Sequence, residues 1–238
     1  MGAHQLQTES PAFSMIIPVY RETAVINEVI GHIWSLDVPG NAEIVVVDGD
    51  PEGSTLQVIR GDKVKKIISP KGRGIQLHAG AMAASGGILI FLHADTLLPH
   101  NACVLIATLM VADHHCIGGA FELQIDSSRR VFRIIEKMVS WRSRVAKIPY
   151  GDQAIFMRSD YYHHLGGFKN IPIMEDVELM MRIRDGRGKI AILSEPVITS
   201  ARRWESEGIL RCTIRNWVLI ILYALGVAPE KLSRYYGK

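Results

Sequence analysis

Four short stretches of the sequence bring charged side chains together with glycines or with the ends of apolar runs. They lie at residues 47–55, 71–76, 91–96 and 174–179. Carboxylates in such positions can accept hydrogen bonds from a base or a ribose, ligate a divalent cation or take up a proton. Because each stretch by itself also has a structural explanation, function depends on whether the fold brings the four together.

The first two stretches suit the two ends of a nucleoside diphosphate. Asp48 ends an apolar run and Asp50 follows it, so their carboxylates can contact a nucleoside or, equally, cap a following helix. Lys71 and Arg73 alternate with glycines before a predicted helix, and cations near a helix N-terminus suit a diphosphate. An ordinary solvated loop has the same composition, and both interpretations stay open.

The last two stretches suit a cation and a general base. Asp95 ends a predicted strand, where it can place an oxygen on a divalent cation or cap the residue after it. Glu175 and Asp176 begin a predicted helix, and the helix dipole stabilises ionised carboxylates there. A carboxylate in this position that faces a substrate hydroxyl can accept its proton.

Several common types of site are excluded because their motifs are missing. The sequence has no Gx4GK[ST] loop, no GxSxG elbow and no HExxH pair, which rules out a P-loop, an α/β-hydrolase nucleophile and an HExxH zinc site. Gly72 and Gly74 lack GxGxxG spacing and follow the third predicted strand, which argues against a dinucleotide fold.

Alternating strands and helices must position the charged residues. Apolar runs predict strands at 14–19, 43–48, 63–68 and 88–93, and helical spacing predicts helices at 22–36, 74–85 and 99–112. This order predicts an α/β fold, with a Rossmann-like, mostly parallel sheet and helices on both faces. Ligands bind at the carboxyl ends of the strands in such sheets, so Tyr20, Asp48 and Asp95 should converge on one rim.

After residue 115 the alternation ends. We predict strands at 116–125 and 153–157, helices at 128–147, 176–184 and 208–226, and two short strands within 189–200. The helix at 128–147 is basic and amphipathic, which fits either an anionic membrane surface or a solvated face packed on the core. Because the sequence contains no linker and no internal repeat, we expect one domain.

Composition and charge narrow the class of protein. The 238 residues are 48% hydrophobic and 21% charged, which is typical of a globular domain with a large core. Residues 1–126 hold 7 Lys and Arg against 13 Asp and Glu, whereas residues 127–238 hold 20 against 11. A basic half of this kind often binds an anionic partner, for which nucleic acid, a diphosphate substrate and an anionic membrane are the candidates.

The ends of the sequence and its cysteines bear on location. The first 13 residues are polar and predict no signal peptide. The uncharged stretch at 216–229 is too short to span a bilayer, and three cysteines without CxxC spacing indicate a reducing compartment. We therefore expect a cytoplasmic protein that is soluble or peripheral at the inner face of the membrane.

Taken in order, the four stretches resemble family 2 glycosyltransferases of the GT-A fold. The resemblance runs from residue 14 to about 205, and it includes Ser200-Ala201-Arg202-Arg203-Trp204, which is similar to the QxxRW motif of processive members with Ser in place of Gln. Residues 71–80, 91–96 and 150–154 resemble a small bacterial branch labelled arsenosugar-biosynthesis or radical-SAM-associated glycosyltransferase.

The resemblance implies an activity and a layout of the chain. The activity is an inverting transfer of a sugar from a nucleotide-diphosphate donor to an acceptor hydroxyl, assisted by Mg²⁺ or Mn²⁺. The layout is a single GT-A domain with a donor lobe at about 13–115, an acceptor and catalytic-base lobe at about 116–205 and a C-terminal apolar helix at about 206–238.

The resemblance also implies roles for individual residues. Asp176, beside Glu175, matches the catalytic base, and Asp95, with His93, matches the position that meets the metal and the diphosphate. The implied donor-binding residues are Pro18, Tyr20, Glu22, Asp48, Asp50, Lys71, Arg73, Gln76, Arg203 and Trp204.

Two positions depart from the family pattern. His93 replaces the first Asp of the DxD motif and leaves Asp95 as its one carboxylate, and Gly49 replaces the second Asp of the nucleotide-binding pair. The choice of metal therefore depends on His93, which would favour Mn²⁺ if it ligates and would otherwise contact the sugar or be structural.

Two other functions and several partners remain to be weighed. A nucleotidyltransferase of related fold would carry a glycine-rich loop after the first strand, but residues 18–22 have no glycine. A non-catalytic nucleotide- or lipid-binding module would explain the missing DxD carboxylate, but the intact Glu175-Asp176 pair opposes it. We expect a nucleotide-sugar donor, a small-molecule or lipid acceptor and no nucleic acid. The helix at 208–226 would cover the core, contact a second copy or touch lipid.

Overall fold

A computed structural model describes residues 12–235, and these residues build one continuous sheet with helices around it. Its strands are β1 (Phe13–Val19), β2 (Ala42–Asp48), β3 (Val64–Ile68), β4 (Ile88–Phe91), β5 (Thr96–Leu97), β6 (Cys116–Asp126), β7 (Phe156–Arg158) and β8 (Lys189–Ser200). The strand order is β3-β2-β1-β4-β7-β6-β8-β5. Four of the seven strand pairings are parallel, which confirms the prediction of a mostly parallel sheet.

The helices lie on both faces of this sheet. They are α1 (Ile26–Trp34), α2 (Ser54–Val58), α3 (Arg73–Ala83), α4 (Ala102–Ala112), α5 (Arg130–Ala146), α6 (Ser159–His164), α7 (Glu175–Asp185), α8 (Arg202–Glu207), α9 (Ile209–Ala224) and α10 (Pro229–Leu232). Successive residues of β2 belong to two separate buried clusters, one packed against α1 and α4 and the other against α3 and α7. An unbroken apolar run such as β2 is therefore buried on both sides, as expected for a parallel strand.

Several element boundaries differ from the sequence-based predictions. The helix predicted at 22–36 begins at Ile26, and it is preceded by a turn in which the amides of Val25 and Ile26 both donate to the Glu22 carbonyl. The two strands predicted within 189–200 are one strand, β8, whose register with β6 shifts between Phe121 and Glu122. A strand that alternates poorly because of a bulge looks like two strands in the sequence.

Two predictions fall partly on residues that the structure does not describe. The polar N-terminal segment, for which we predicted no signal peptide, lies within residues 1–11 apart from its last two residues. The last three residues of the predicted segment 206–238 also lie outside the described range. The part within that range contains the end of α8, followed by α9 and α10, rather than a single helix.

Candidate active site

A cavity of about 840 Å³ opens at the carboxyl ends of β1 and β4. The N-terminal ends of α3 and α7 form one wall, and α8 with α9 forms another. Twelve of the fourteen site residues predicted from the sequence line it, all except Asp48 and Asp50. The four stretches singled out by their chemistry therefore do meet, because a parallel sheet gathers the ends of its strands at one edge.

The end of β1 supplies an aromatic ring with cations beside it. The Nζ atom of Lys71 lies 3.8 Å from the centre of the Tyr20 ring, and the guanidinium of Arg21 lies 5.3 Å from it. Glu22 follows, and its carboxylate is 3.7 Å from the guanidinium of Arg202 on α8. The first and last parts of the chain thus share this end of the cavity.

Asp48 and Asp50 organise the turn after β2 instead of lining the cavity. The Asp48 carboxylate is fully buried and accepts hydrogen bonds from the amides of Asp50 and Thr55, each at 2.9 Å. Asp50 accepts a hydrogen bond from the Ser54 hydroxyl at 2.7 Å and lies 3.6 Å from Arg21. Of the two interpretations left open by the sequence, the geometry matches the helix-capping one, since both carboxylates are occupied by α2 and its turn.

Gln76 lies in the cavity wall, but the nitrogen of its side-chain amide is hydrogen-bonded to the backbone of the sheet. It donates hydrogen bonds to the carbonyls of Val19 at 2.7 Å and Val47 at 2.8 Å, so it joins the ends of β1 and β2 to α3. Both amide protons are engaged in this way. Gln76 therefore positions Tyr20 and the neighbouring turn.

Glu175 is a buried residue of the cavity wall at the start of α7. Its carboxylate lies 3.7 Å from the guanidinium of Arg73 at the start of α3. Burial, and then the charge of Asp176, raise the pKa of Glu175 to about 7, against a smaller opposing effect of Arg73. The two helix starts are in close contact, since a Cβ placed on Gly74 would lie 2.6 Å from the Lys169 carbonyl oxygen and 3.1 Å from the Glu175 Cβ.

The Asp176 carboxylate is held in a fixed position in the cavity. Its Oδ2 accepts a hydrogen bond from the Gly151 amide at 2.7 Å, and its Oδ1 accepts one from the Val177 amide at 2.8 Å. Each of these oxygens accepts one hydrogen bond, so the carboxylate keeps lone pairs free for a further donor. This is the arrangement that a general base needs.

The loop that holds Asp176 is anchored by a buried glutamine. The Oε1 atom of Gln153 accepts hydrogen bonds from Ser143 at 2.8 Å and Arg142 at 3.1 Å, and its amide donates to the Phe121 carbonyl at 2.9 Å. These bonds hold residues 150–153 as a tight turn. In the sequence, residues 150–154 stand out only by their resemblance to the bacterial branch, because the polar residues of this turn act through partners that are distant in the chain.

Asp152 and Tyr150, on the same turn, are cavity residues that the predicted site did not include. Burial raises the pKa of Asp152 to about 6, against the opposing charge of Arg142. The Asp152 Oδ1 is buried without a hydrogen-bond partner among the described residues. The guanidinium of Arg142 stacks on the Tyr150 ring, 3.2 Å from its centre. Their signal in the sequence was a carboxylate and an aromatic residue flanking Gly151.

His93 faces the same turn. Its Nε2 is buried and has no hydrogen-bond partner among the described residues, and a Cβ placed on Gly151 would lie 2.8 Å from it. Burial, reinforced by the charges of Arg73 and Arg203, lowers the pKa of His93 to about 3. The imidazole is therefore neutral at physiological pH, which is the form that binds metals or exchanges hydrogen bonds with a sugar.

Arg203 and Trp204 bring α8 to the cavity. The Arg203 Nε lies 3.2 Å from the Glu207 carboxylate one turn later. The Trp204 ring packs edge-on against Phe132 of α5, with ring centres 6.0 Å apart. Together with Lys71, Arg73 and Arg202, Arg203 makes the cavity suited to a polyanion.

Three rim residues other than glycine have left-handed backbone. The φ angles are 59° at Arg21, 47° at Ala154 and 68° at Met174. Each such residue costs about 1–3 kcal/mol and persists where the surrounding structure demands it, most often at functional sites. Here Arg21 follows β1, Ala154 ends the turn that contains Gln153, and Met174 precedes Glu175.

The residues present fit a divalent metal that arrives with a phosphorylated ligand. Within residues 12–235 there is no group of three or more His, Cys, Asp or Glu side chains that could hold a metal by themselves. Asp95 does line the cavity beside the unpartnered Nε2 of His93. Mg²⁺ and similar ions are commonly bound by one or two carboxylates with substrate phosphates and water completing the shell.

Comparison with known proteins shows the same fold at low sequence identity. Residues 1–349 of TarS from S. aureus superpose with a TM-score of 0.64 at 17% identity, over 92% of this chain and 68% of that one. The complex of that fragment with UDP-GlcNAc gives 0.63 at 20% identity, over 79% and 58%. The mannosyltransferase PcManGT from Pyrobaculum calidifontis, in complex with GDP-Man and Mn²⁺, gives 0.58 at 23%, over 81% and 57%.

These likenesses confirm the expected fold class, an α/β domain of the GT-A type. The chain spans less than two thirds of the UDP-GlcNAc-bound TarS fragment and of PcManGT. No curated protein matched the sequence. The sequence model of glycosyl transferase family 2 matches residues 14–168, well over half of the chain, so this protein belongs to glycosyl transferase family 2.

Proposed function

We propose that this protein transfers a sugar from a nucleotide-diphosphate donor to an acceptor hydroxyl with inversion of the anomeric centre, and that Asp176 is the general base. The observation that carries the proposal is the position of Asp176, fixed by the Gly151 amide in a cavity that also contains Lys71, Arg73 and Arg203. A base and a cationic diphosphate site in one cavity are what such a transfer requires.

The donor would lie along the carboxyl edge of the sheet. Pro18, Tyr20 and Glu22 would border the nucleoside, while Asp48, Asp50 and Gln76 would shape that pocket through the turn and strand ends that they hold. Lys71, Arg73 and Arg203 would face the diphosphate, with Trp204 beside them. Two structural neighbours were solved in complex with UDP-GlcNAc and with GDP-Man, which supports a nucleotide-sugar as the donor class.

The reaction is a single displacement at the anomeric carbon. The acceptor oxygen forms the new glycosidic bond as its proton passes to Asp176, and the bond to the diphosphate oxygen breaks on the opposite face. Attack and departure on opposite faces invert the anomeric centre. Negative charge grows on the departing diphosphate, and the preorganised cations Lys71, Arg73 and Arg203 stabilise it.

Asp95, with His93 as a second candidate ligand, would hold a divalent cation in the donor complex. When bound, Mn²⁺ or Mg²⁺ supplies further charge neutralisation at the diphosphate. The bound Mn²⁺ named for PcManGT supports this assignment.

Asp176→Asn tests the base, because it keeps the shape of the side chain and removes its basicity. We expect kcat to fall by about 10²–10⁴-fold, the usual contribution of general-base catalysis, with the Kd of the donor nearly unchanged. Asp185→Asn is the matched control, since it removes a carboxylate at the exposed end of the same helix, outside the cavity. Transfer rates and donor affinity should be measured with a panel of sugar nucleotides and Mn²⁺.

Two results would contradict the assignment. Near wild-type transfer by Asp176→Asn would show that another group accepts the proton. Weakened donor binding that accounts for the whole loss of rate would place Asp176 in the donor site and leave the base unidentified.

The remaining parts of the proposal concern subfamily, layout and location. We assign the chain to the arsenosugar-biosynthesis or radical-SAM-associated branch on its residues 71–80, 91–96 and 150–154. We also propose a donor lobe at about 13–115, an acceptor lobe at about 116–205 and an apolar C-terminal segment from about 206. Three free, buried cysteines support the cytoplasmic placement.

A further inference from the structure

Two helices next to the cavity carry apolar stripes that no described residue covers. On α5 the exposed apolar residues recur every three or four positions, as Val131, Ile134, Met138, Trp141 and Val145. On α9 and its C-terminal end they are Leu210, Ile214, Val218, Ile221 and Leu225. This spacing puts each set on one side of its helix. Other sides are buried, through Phe132 and Ile135 on α5 and through Cys212 and Leu219 on α9.

The two helices belong to the same region of the molecule. Phe132, near the start of α5, packs against Trp204 of α8, which Gly208 joins to α9. Tyr150, just after α5, packs in one apolar cluster with Leu219 of α9. Both ends of α5 therefore adjoin the α8–α9 segment, and Trp204 and Tyr150 also line the cavity.

The stripe on α5 is flanked by unpaired positive charge. Arg129, Arg130, Lys137 and Lys147 are exposed, and none of them forms an ion pair with a residue in the range 12–235. The single acidic residue of α5, Glu136, is occupied by Arg133 at 3.0 Å. An apolar stripe bordered by uncompensated cations is complementary to the headgroup region of an anionic bilayer.

We propose that the α5 and α9 stripes bind the surface of anionic membranes. Within the described residues no helix is long and apolar enough to cross a bilayer, so the contact is interfacial. Charge selects this partner over a second copy, because a two-fold contact of α5 with itself would set its unpaired cations against each other. The proposal does not depend on sugar transfer, and its test measures binding alone.

The test is flotation of the full chain with vesicles of phosphatidylcholine that contain about one third phosphatidylglycerol. We expect the protein to float with these vesicles at about 50 mM salt and to be released from them at about 500 mM salt. It should not bind vesicles of phosphatidylcholine alone. No flotation at low salt, or equal flotation with neutral vesicles, would overturn the proposal.

Paired substitutions locate the contact. Ile134→Glu with Trp141→Glu alters side chains that are 61% and 66% exposed on α5, and it should lower membrane partitioning at least tenfold. Val104→Glu with Val111→Glu adds the same charge to side chains that are 41% and 72% exposed on α4, and it should leave partitioning unchanged. Equal effects of the two pairs would refute a site on α5, because only net charge would then matter.

A third pair and a mass measurement complete the test. Ile214→Glu with Ile221→Glu should also reduce flotation, and full retention would remove α9 from the membrane contact. Sedimentation of the wild type and of the Ile134→Glu, Trp141→Glu variant tests whether a second copy of the chain covers the α5 stripe instead. A wild-type dimer that the α5 pair dissociates without any change in flotation would assign the stripe to a second copy and overturn the membrane proposal.

Discussion

The buried carboxyl group of Glu175 makes the stability of the folded protein depend on pH. In the folded protein its pKa lies near 7, raised by burial and by the neighbouring charge of Asp176. In the unfolded chain it has the ordinary value of 4.5. The native state therefore binds a proton more tightly here, and the stability associated with Glu175 falls as the pH rises from about 4.5 to about 7.

Replacing Glu175 with glutamine should remove this loss. We expect Glu175→Gln to be more stable than wild type at pH 8, by on the order of 1–3 kcal/mol, and close to wild type at pH 4.5. Urea unfolding of both proteins at the two pH values measures the difference, and titration of Asp152 and His93 cancels in the comparison. A variant that is less stable at pH 8 would mean that the ion pair with Arg73 outweighs the cost of burial.

At the scale of elements, α3 lies unusually close to the sheet. A Cβ placed on Gly80 would lie 2.5 Å from Cγ2 of Ile16 and 3.0 Å from Cγ2 of Val47. The helix packs so tightly on β1 and β2 only because this residue has no side chain. The closeness matters for the site, because α3 carries Arg73 at its start and Gln76 one turn later.

Gly80→Ala should therefore destabilise the protein, although alanine is the better helix former by about 1 kcal/mol. Overpacking of this kind costs about 1–3 kcal/mol, so we expect a net loss of up to about 2 kcal/mol in urea unfolding. Gly31→Ala in α1 is the matched control, because nothing lies within 4 Å of the added methyl group. It should stabilise by about 0.5–1 kcal/mol, and a stabilising Gly80→Ala would show that α3 can move away from the sheet.

At the scale of the whole molecule, the cavity joins distant parts of the chain. Tyr20, Lys71 and Asp95 come from the first 115 residues, whereas Asp176 and Arg203 come from the rest. The more acidic and the more basic parts of the sequence thus face each other across one site. A donor in this cavity would contact both, and any ligand that binds only the folded state stabilises the fold as a whole.

A nucleotide-sugar with Mn²⁺ should accordingly raise the melting temperature. A ligand at about 100 times its Kd adds about 2.7 kcal/mol, which for a chain of this length corresponds to roughly 5–10 °C. A thermal-shift panel that includes UDP-GlcNAc and GDP-Man would find the preferred donor. Asp95→Ala should abolish the part of the shift that needs Mn²⁺ while the melting temperature without ligand changes little. Equal shifts in both proteins would remove Asp95 from the metal site.

The sequence alone sufficed for the α/β alternation, the buried parallel strands and the rim on which Tyr20 and Asp95 meet. These features are local or follow from a general rule, because apolar periodicity marks each element and parallel strands end at a common edge. Asp176 was assigned to the same site only through the family resemblance. The order of four motifs along the chain was likewise enough to indicate the family that the sequence model then matched.

Only the tertiary structure could decide which polar side chains are available to a ligand. Asp48 and Asp50 have the residue type and position of binding carboxylates, yet the turn before α2 occupies both. Asp152 was missed for the opposite reason, since its raised pKa arises from burial and, less strongly, from the charges of Asp176 and Asp95, which are distant in the sequence. Hydrogen bonds and desolvation act over a few ångströms in space between residues far apart in the chain, and no pattern of sequence spacing contains those distances.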